Sequence, residues 1–189
     1  MITPRLKDLI RPLILVQRVI WIIITCSILF YFFLAFILIG TNKSSDAGMM
    51  GLETVLYVLA IAFAGSSIFY HRYSLSDDRL SMFLKRDVDA ADLSRAMGAK
   101  GAEYGQLAQI ESLSGFDKRA LSLLYELQKI SLINLILNEM VIILGFVIAF
   151  LGGYYLKIVP FGIVSLLLCI WMFPRPESVA ERACGLYSS

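Results

Sequence analysis

Residues 19–40 read Val19-Ile-Trp-Ile-Ile-Ile-Thr-Cys-Ser-Ile-Leu-Phe-Tyr-Phe-Phe-Leu-Ala-Phe-Ile-Leu-Ile-Gly40, 22 positions without a charge. The hydrocarbon core of a bilayer, about 30 Å thick, is crossed by roughly 20 apolar residues in helix. A secretory signal has an apolar region of only about 7–15 residues and ends in small residues suited to cleavage. This run is longer and ends Leu38-Ile39-Gly40, so it reads as a retained membrane anchor.

Three further apolar runs follow. The second extends from about Leu52 to Tyr70 and stops at His71-Arg72. The third extends from about Ile130 to Leu151 and ends at Gly152-Gly153. The fourth extends from Leu156 to Phe173 and stops at Pro174-Arg175-Pro176. It is the shortest, about 27 Å at 1.5 Å per residue, and needs either local thinning of the bilayer or a Lys157 that reaches back to the interface. Composition agrees, with 58% hydrophobic and 17% charged residues, against about 45–50% and about 25% in a soluble domain. The expected fold is an all-α integral membrane protein with four transmembrane helices and a mostly helical cytoplasmic loop between the second and third.

Lysine and arginine set the orientation. Fifteen of the 17 lie before the first run, between the second and third, or after the fourth, with only Lys43 and Lys157 on the opposite side. Both termini and the central loop are therefore expected in the cytoplasm, and the chain in the cell inner (plasma) membrane as a multi-pass protein. The expected segments are a cytoplasmic amphipathic stretch (1–18), two spans (19–70), a loop (71–129), two further spans (130–173) and a tail (174–189). In the first stretch Ile2, Leu6, Leu9, Ile10, Leu13 and Ile14 are spaced for a helix lying in the interface. In the loop, Ser76-Asp77-Asp78 opens a helix to about residue 86, its acids at the positive end of the dipole. A second short helix is expected over about 89–97. From about Phe116 a third, with Leu121, Leu124, Leu127 and Ile130 on one face, runs on into the third span.

Several function classes are excluded early. A net charge of +2 with no basic patch interleaved with aromatics argues against nucleic acid as a partner. With three cysteines, one histidine and no C-x-x-C pair, the usual Cys/His zinc site cannot be built, and no metal or cofactor is implied. The loop glycines lack the Lys-Ser/Thr ending of a phosphate loop. The first span offers Thr25, Ser27 and Tyr31, the second Ser66 and Ser67, the fourth Ser165; no acid pair, metal cluster or nucleophile with a base emerges. No catalytic residue is assigned, and the chain is not read as an enzyme. His71, Trp21, Trp171 and the Tyr154-Tyr155 pair read as interface residues, the two tryptophans also able to pack in the bundle.

The third span holds the candidate site. Ser131, Asn134, Asn138 and Glu139 lie in its first half. A charged side chain at the centre of a membrane helix costs roughly 2.5–3.5 kcal/mol, so Glu139 keeps a partner, a proton or a task. At 100° per residue, Ser131, Asn134, Asn138, Gly145, Ala149 and Gly152 fall within about 60° of one direction, with Glu139 at the edge, about 80° away. Such a polar and small face packs closely against another helix. The second span presents Ala60, Ala64 and Ser67, so the two spans are expected to form a tight antiparallel hairpin with Glu139 at its margin. Glu139, Asn138 and Asn134 are the candidate proton- or ion-binding residues; Gly145, Ala149, Gly152, Ala60 and Ala64 are the candidate packing residues.

The run Glu139-Met-Val-Ile-Ile143-Leu-Gly145-Phe-Val147-Ile-Ala149 resembles the acid-bearing helix of the proteolipid, or c, subunit of rotary ATP synthases and V-type ATPases. That helix carries glutamate, isoleucine, glycine, valine and often alanine at the same spacing, after a cytoplasmic loop. The resemblance implies that Glu139 takes up and releases a translocated ion. It covers residues 139–149; the family's short polar loop corresponds here to nearly 60 residues, and its Arg-Gln-Pro turn is missing. Three functional classes follow. The first is a structural or accessory subunit of a larger membrane complex, partnered by the lipid bilayer and by other membrane subunits or further copies of itself. The second is a protein that handles a proton or cation through Glu139. The third is a membrane-embedded enzyme, which would need several convergent polar groups in the bilayer.

Overall fold

The structure is a computed structural model that describes residues 4–40, 50–85, 93, 111–174, 178, 179, 182 and 185. Among them every regular element is helical: α1 (Pro4–Ile39), α2 (Met50–Ser74), α3 (Asp77–Lys85), α4 (Gly115–Leu151), a 3₁₀ turn (Tyr155–Ile158) and α5 (Val159–Trp171). Three of these helices are long and apolar enough to cross a membrane: Arg11–Ile39 within α1, Gly51–Ser74 within α2, and α4. The chain divides into two compact units, one of residues 1–18, 72–130 and 174–189, the other of residues 19–71 and 131–173.

Helix ends follow from local chemistry. α1 stops where Gly40 turns left-handed, at φ 65°, and returns its N–H to Phe36 O. At the end of α4, Gly153 takes φ 58°; its N–H reaches Phe150 O at 3.3 Å and that of Tyr154 reaches Ala149 O at 3.2 Å. A left-handed glycine with this pair of bonds closes the last turn and satisfies its carbonyls. The run after it differs from the single helix expected over 156–173. Pro160 has no N–H and fits an α-helix most easily in its first turn, which is where it stands in α5. The chain therefore takes a 3₁₀ turn and starts α5 at Val159, a helix of 13 residues.

α1 likewise differs from expectation. It runs from Pro4 to Ile39 without a break at residue 18 and carries Pro12 inside it, where a separate interfacial helix was expected. α2 continues past Tyr70 to Ser74. The helix expected over 89–97 lies outside the described residues apart from Leu93.

In the first unit, Ser114 starts α4. Its hydroxyl accepts the N–H of Asp117 at 3.1 Å and lies 2.9 Å from Asp117 Oδ2, while its carbonyl accepts from Lys118 N. This is an N-cap with the acid three residues on. Beyond it Ala120, Leu121, Leu123, Leu124, Leu127 and Ile130 are buried. Ser76 precedes α3 as expected and its carbonyl accepts from Leu80 N, but its hydroxyl donates backward to Tyr73 O. It thus closes α2 as well as opening α3.

In the second unit α4 is the central element. Its buried positions 134, 138, 141, 145 and 148 alternate steps of four and three, joined by 135, 142 and 149. These steps keep one seam of a helix against its neighbours. Ile24, Ile28 and Ala35 of α1, Ala60 of α2, and Phe161 and Cys169 of α5 belong to the same core.

Two glycines set how closely helices approach. A Cβ at Gly145 would lie 2.5 Å from Cβ and Cγ of Phe161. Phe161 Cβ is fixed by its own backbone, so α5 would have to move as a body. A Cβ at Gly162 would instead meet the far edge of the Phe32 ring, which can swing aside. Alanine gains about 1 kcal/mol over glycine in a helix, whereas overpacking costs about 1–3 kcal/mol. Gly145→Ala is therefore expected to lower stability in detergent by about 1–2 kcal/mol, and Gly162→Ala to come out near neutral. Equal losses in chemical denaturation would remove the special closeness of α4 and α5.

Candidate functional site

The polar residues of α4 lie on one helix but face different partners. Asn138 is fully buried. Its Nδ2 donates to Ser165 O at 2.9 Å and lies 2.9 Å from Cys169 Sγ, both on α5. Ser165 replies, its hydroxyl donating to Asn138 O at 3.1 Å. Asn134, one turn earlier, turns to α2: its carbonyl accepts from Ser67 Oγ at 3.3 Å, and its Nδ2 sits 3.4 Å from His71 Nδ1. Glu139 turns to α1, with Oε1 3.0 Å from Ser27 Oγ, and it is half-buried.

α1 and α5 add a second set of contacts beside these. Trp21 Nε1 donates to Cys169 O at 2.9 Å, and the Trp21 ring meets Phe173 edge-on at 5.0 Å. Thr25 donates to Trp21 O. Trp171 is exposed and packs on the His71 ring, centroids 4.9 Å apart. Trp21 is therefore a bundle residue, and His71 is tied to both α4 and α5. Among the described residues no three His, Cys, Asp or Glu side chains gather as metal ligands would.

The small residues divide in the same way. Ala149 and Ala60 are buried and Ala64 is half-buried. Gly145 receives Phe161 of α5, and a Cβ at Gly152 would run into Lys157 Nζ and Glu53 Oε1. The stripe thus meets α5 at Gly145 as well as α2, a wider division than the two-helix hairpin expected from the sequence.

Sequence reasoning passed over two features. Ser27 and Ser165 were visible only as isolated hydroxyls in apolar runs. Glu53, an acid in the first turn of α2, was not weighed at all, yet it accepts from Lys157 Nζ at 2.7 Å. Lys157 was expected to reach for the interface; the structure gives it a counter-ion. The signal was present, since Glu53 and Lys157 each stand at the start of an apolar run and have reason to meet.

The Glu53–Lys157 pair keeps 21% and 30% of its side chains exposed. Partial exposure places it between the surface range of about 0–1 kcal/mol and the larger effect of breaking a buried pair. A double-mutant cycle of Glu53→Gln and Lys157→Met is expected to give a coupling of about 1 kcal/mol that shrinks with salt. A coupling of zero at low salt would make the contact incidental.

No protein family, curated protein or solved structure matches this chain.

Proposed function

We propose that this chain is an integral protein of the cell inner (plasma) membrane that crosses it four times, with both termini and the 71–129 segment cytoplasmic. In this reading it serves as a structural or accessory subunit of a larger membrane assembly. α5 with its 3₁₀ turn reaches about 27 Å, close to the hydrocarbon thickness, which supports a fourth crossing. Leu29, Phe30, Phe33, Phe36 and Ile37 of α1 and Val55, Val58, Ile61 and Phe69 of α2 are exposed. So much contiguous apolar surface suits lipid or other helices, not water. The lysine and arginine distribution supports the orientation.

The observation that carries the subunit reading is that α4 commits its polar side chains to different neighbours: Asn134 to α2, Asn138 to α5 and Glu139 to α1. A chemical site converges its polar groups on one point. These diverge and hold helices in register. α2 also turns Gly65 and Ser66 outward, small positions where a partner's helix can come close. Native mass measurement of the detergent-extracted assembly is expected to find one copy of this chain beside different membrane subunits. Many identical copies would favour a ring-like homo-oligomer, and a lone monomer would count against both.

A second reading, proton or cation handling through Glu139, is favoured by one hydroxyl. Ser27 has a single hydrogen and two acceptors in reach, Ile24 O at 2.7 Å and Glu139 Oε1 at 3.0 Å. A protonated Glu139 donating to Ser27 Oγ, while Ser27 donates to Ile24 O, satisfies both contacts. The likeness of residues 139–149 to the proteolipid helix points the same way. Under this reading Glu139→Gln keeps the assembly intact but abolishes proton or cation flux into vesicles, and a carbodiimide modifies Glu139. A variant that falls apart, or that conducts like the wild type, removes it.

A further inference from the structure

Asn138 uses only one end of its side-chain amide. Nδ2 points at Ser165 O, which can only accept, so turning the amide round would set two oxygens against each other. Oδ1 is therefore held on the other side, fully buried and without a hydrogen-bond partner among the described residues. Asn134, 1% exposed, repeats the pattern one turn earlier: Nδ2 lies by His71 Nδ1 and Oδ1 has no donor. Turning this second amide round only exchanges which end lacks a partner. Each unmet buried carbonyl costs about 1–3 kcal/mol.

Two such acceptors, four residues apart on one helix, lie about 6 Å apart along its axis. Their needs fit water, which offers two donors and is held in proteins by otherwise unmet polar groups. They suit a hard cation, which takes about six or more oxygens, less well, because two amide nitrogens, the His71 ring and the Cys169 thiol stand beside these carbonyls. We propose that Asn134 and Asn138 hold ordered water, and that this hydrated seam is the route by which Glu139 exchanges its proton with the His71 end of α2. The proposal rests on reading Glu139 as the proton-bearing group. His71 stands at one end of the seam, and Glu139 follows Asn138 in the chain at the other.

Two measurements on the protein in lipid vesicles test this. X-ray radiolysis oxidises side chains that touch bound water. Cys169 is fully buried against Asn138, so it is expected to be oxidised in the wild type and at least several-fold less in Asn138→Leu. Asn134→Leu serves as the second variant if Asn138→Leu does not fold. Infrared spectroscopy then follows the carboxylic C=O band that Glu139→Gln removes. Its deuterium exchange is expected to slow at least ten-fold in either leucine variant. An unoxidised Cys169 in the wild type, or unchanged exchange in both variants, overturns the seam and leaves Glu139 as a proton carrier untouched. If Glu139→Gln removes no such band, the seam proposal and the Glu139 proton reading fall together.

Discussion

Asn138 and Ser165 exchange hydrogen bonds in both directions, each side chain on the other's backbone carbonyl. A bond of this kind fixes rotation and translation together, because sliding α5 by one turn or rolling α4 by one residue breaks both halves. In the membrane setting proposed above, helices gain little from burying apolar side chains against one another, so packing and hydrogen bonds decide how they associate. Seven residues along α4, Gly145 admits Phe161, four residues before Ser165. The polar exchange sets the register, and the glycine lets the two backbones close at that register. The rest of the second unit is arranged around this pair.

α4 can act as the central helix because its polar groups are distributed around it. An amphipathic helix has one buried face; α4 has buried positions along two interleaved rows, and its neighbours are α1, α2 and α5. Each neighbour carries a short hydroxyl where it meets α4: Ser27 on α1, Ser67 on α2, Ser165 on α5. Serine suits this role. It is small enough not to hold the helices apart, and it can lend its hydrogen to a carbonyl on a facing helix or on its own.

The features that were legible in the sequence depend on a single segment. Run lengths, the stop at Gly152-Gly153, the helix after Ser76 and the helix passing through Ile130 each follow from local chemistry, and each has its counterpart among the helices. The fourth run was misjudged at Pro160, although its missing N–H is also a local fact. What the sequence left open was which neighbour each face would meet. A helical wheel places Glu139 about 80° from the small-residue stripe but does not say which helix stands there. The acid was expected near α2 and lies against Ser27 of α1. The charge pair of Glu53 and Lys157 joins residues 104 apart, and nothing local to either announces the other.

Magnitudes separate the roles of the three polar residues on α4. Hydrogen bonds between membrane helices contribute about 0.6 kcal/mol on average and at most about 1.7. Asn138 takes part in a two-way exchange and Asn134 meets both Ser67 and His71, while the Oδ1 of each has no donor among the described residues. In the proposed membrane setting Glu139 sets one bond to Ser27 against an insertion cost of roughly 2.5–3.5 kcal/mol for a charged group. A glutamine there would reach the same hydroxyl without a charge to desolvate. The asparagines thus tie α4 to two neighbours while each leaves its Oδ1 unmet, and the single contact of Glu139 ties α4 to α1. Under the proton-handling reading, what the carboxyl adds over a glutamine amide is that it can take up and release a proton.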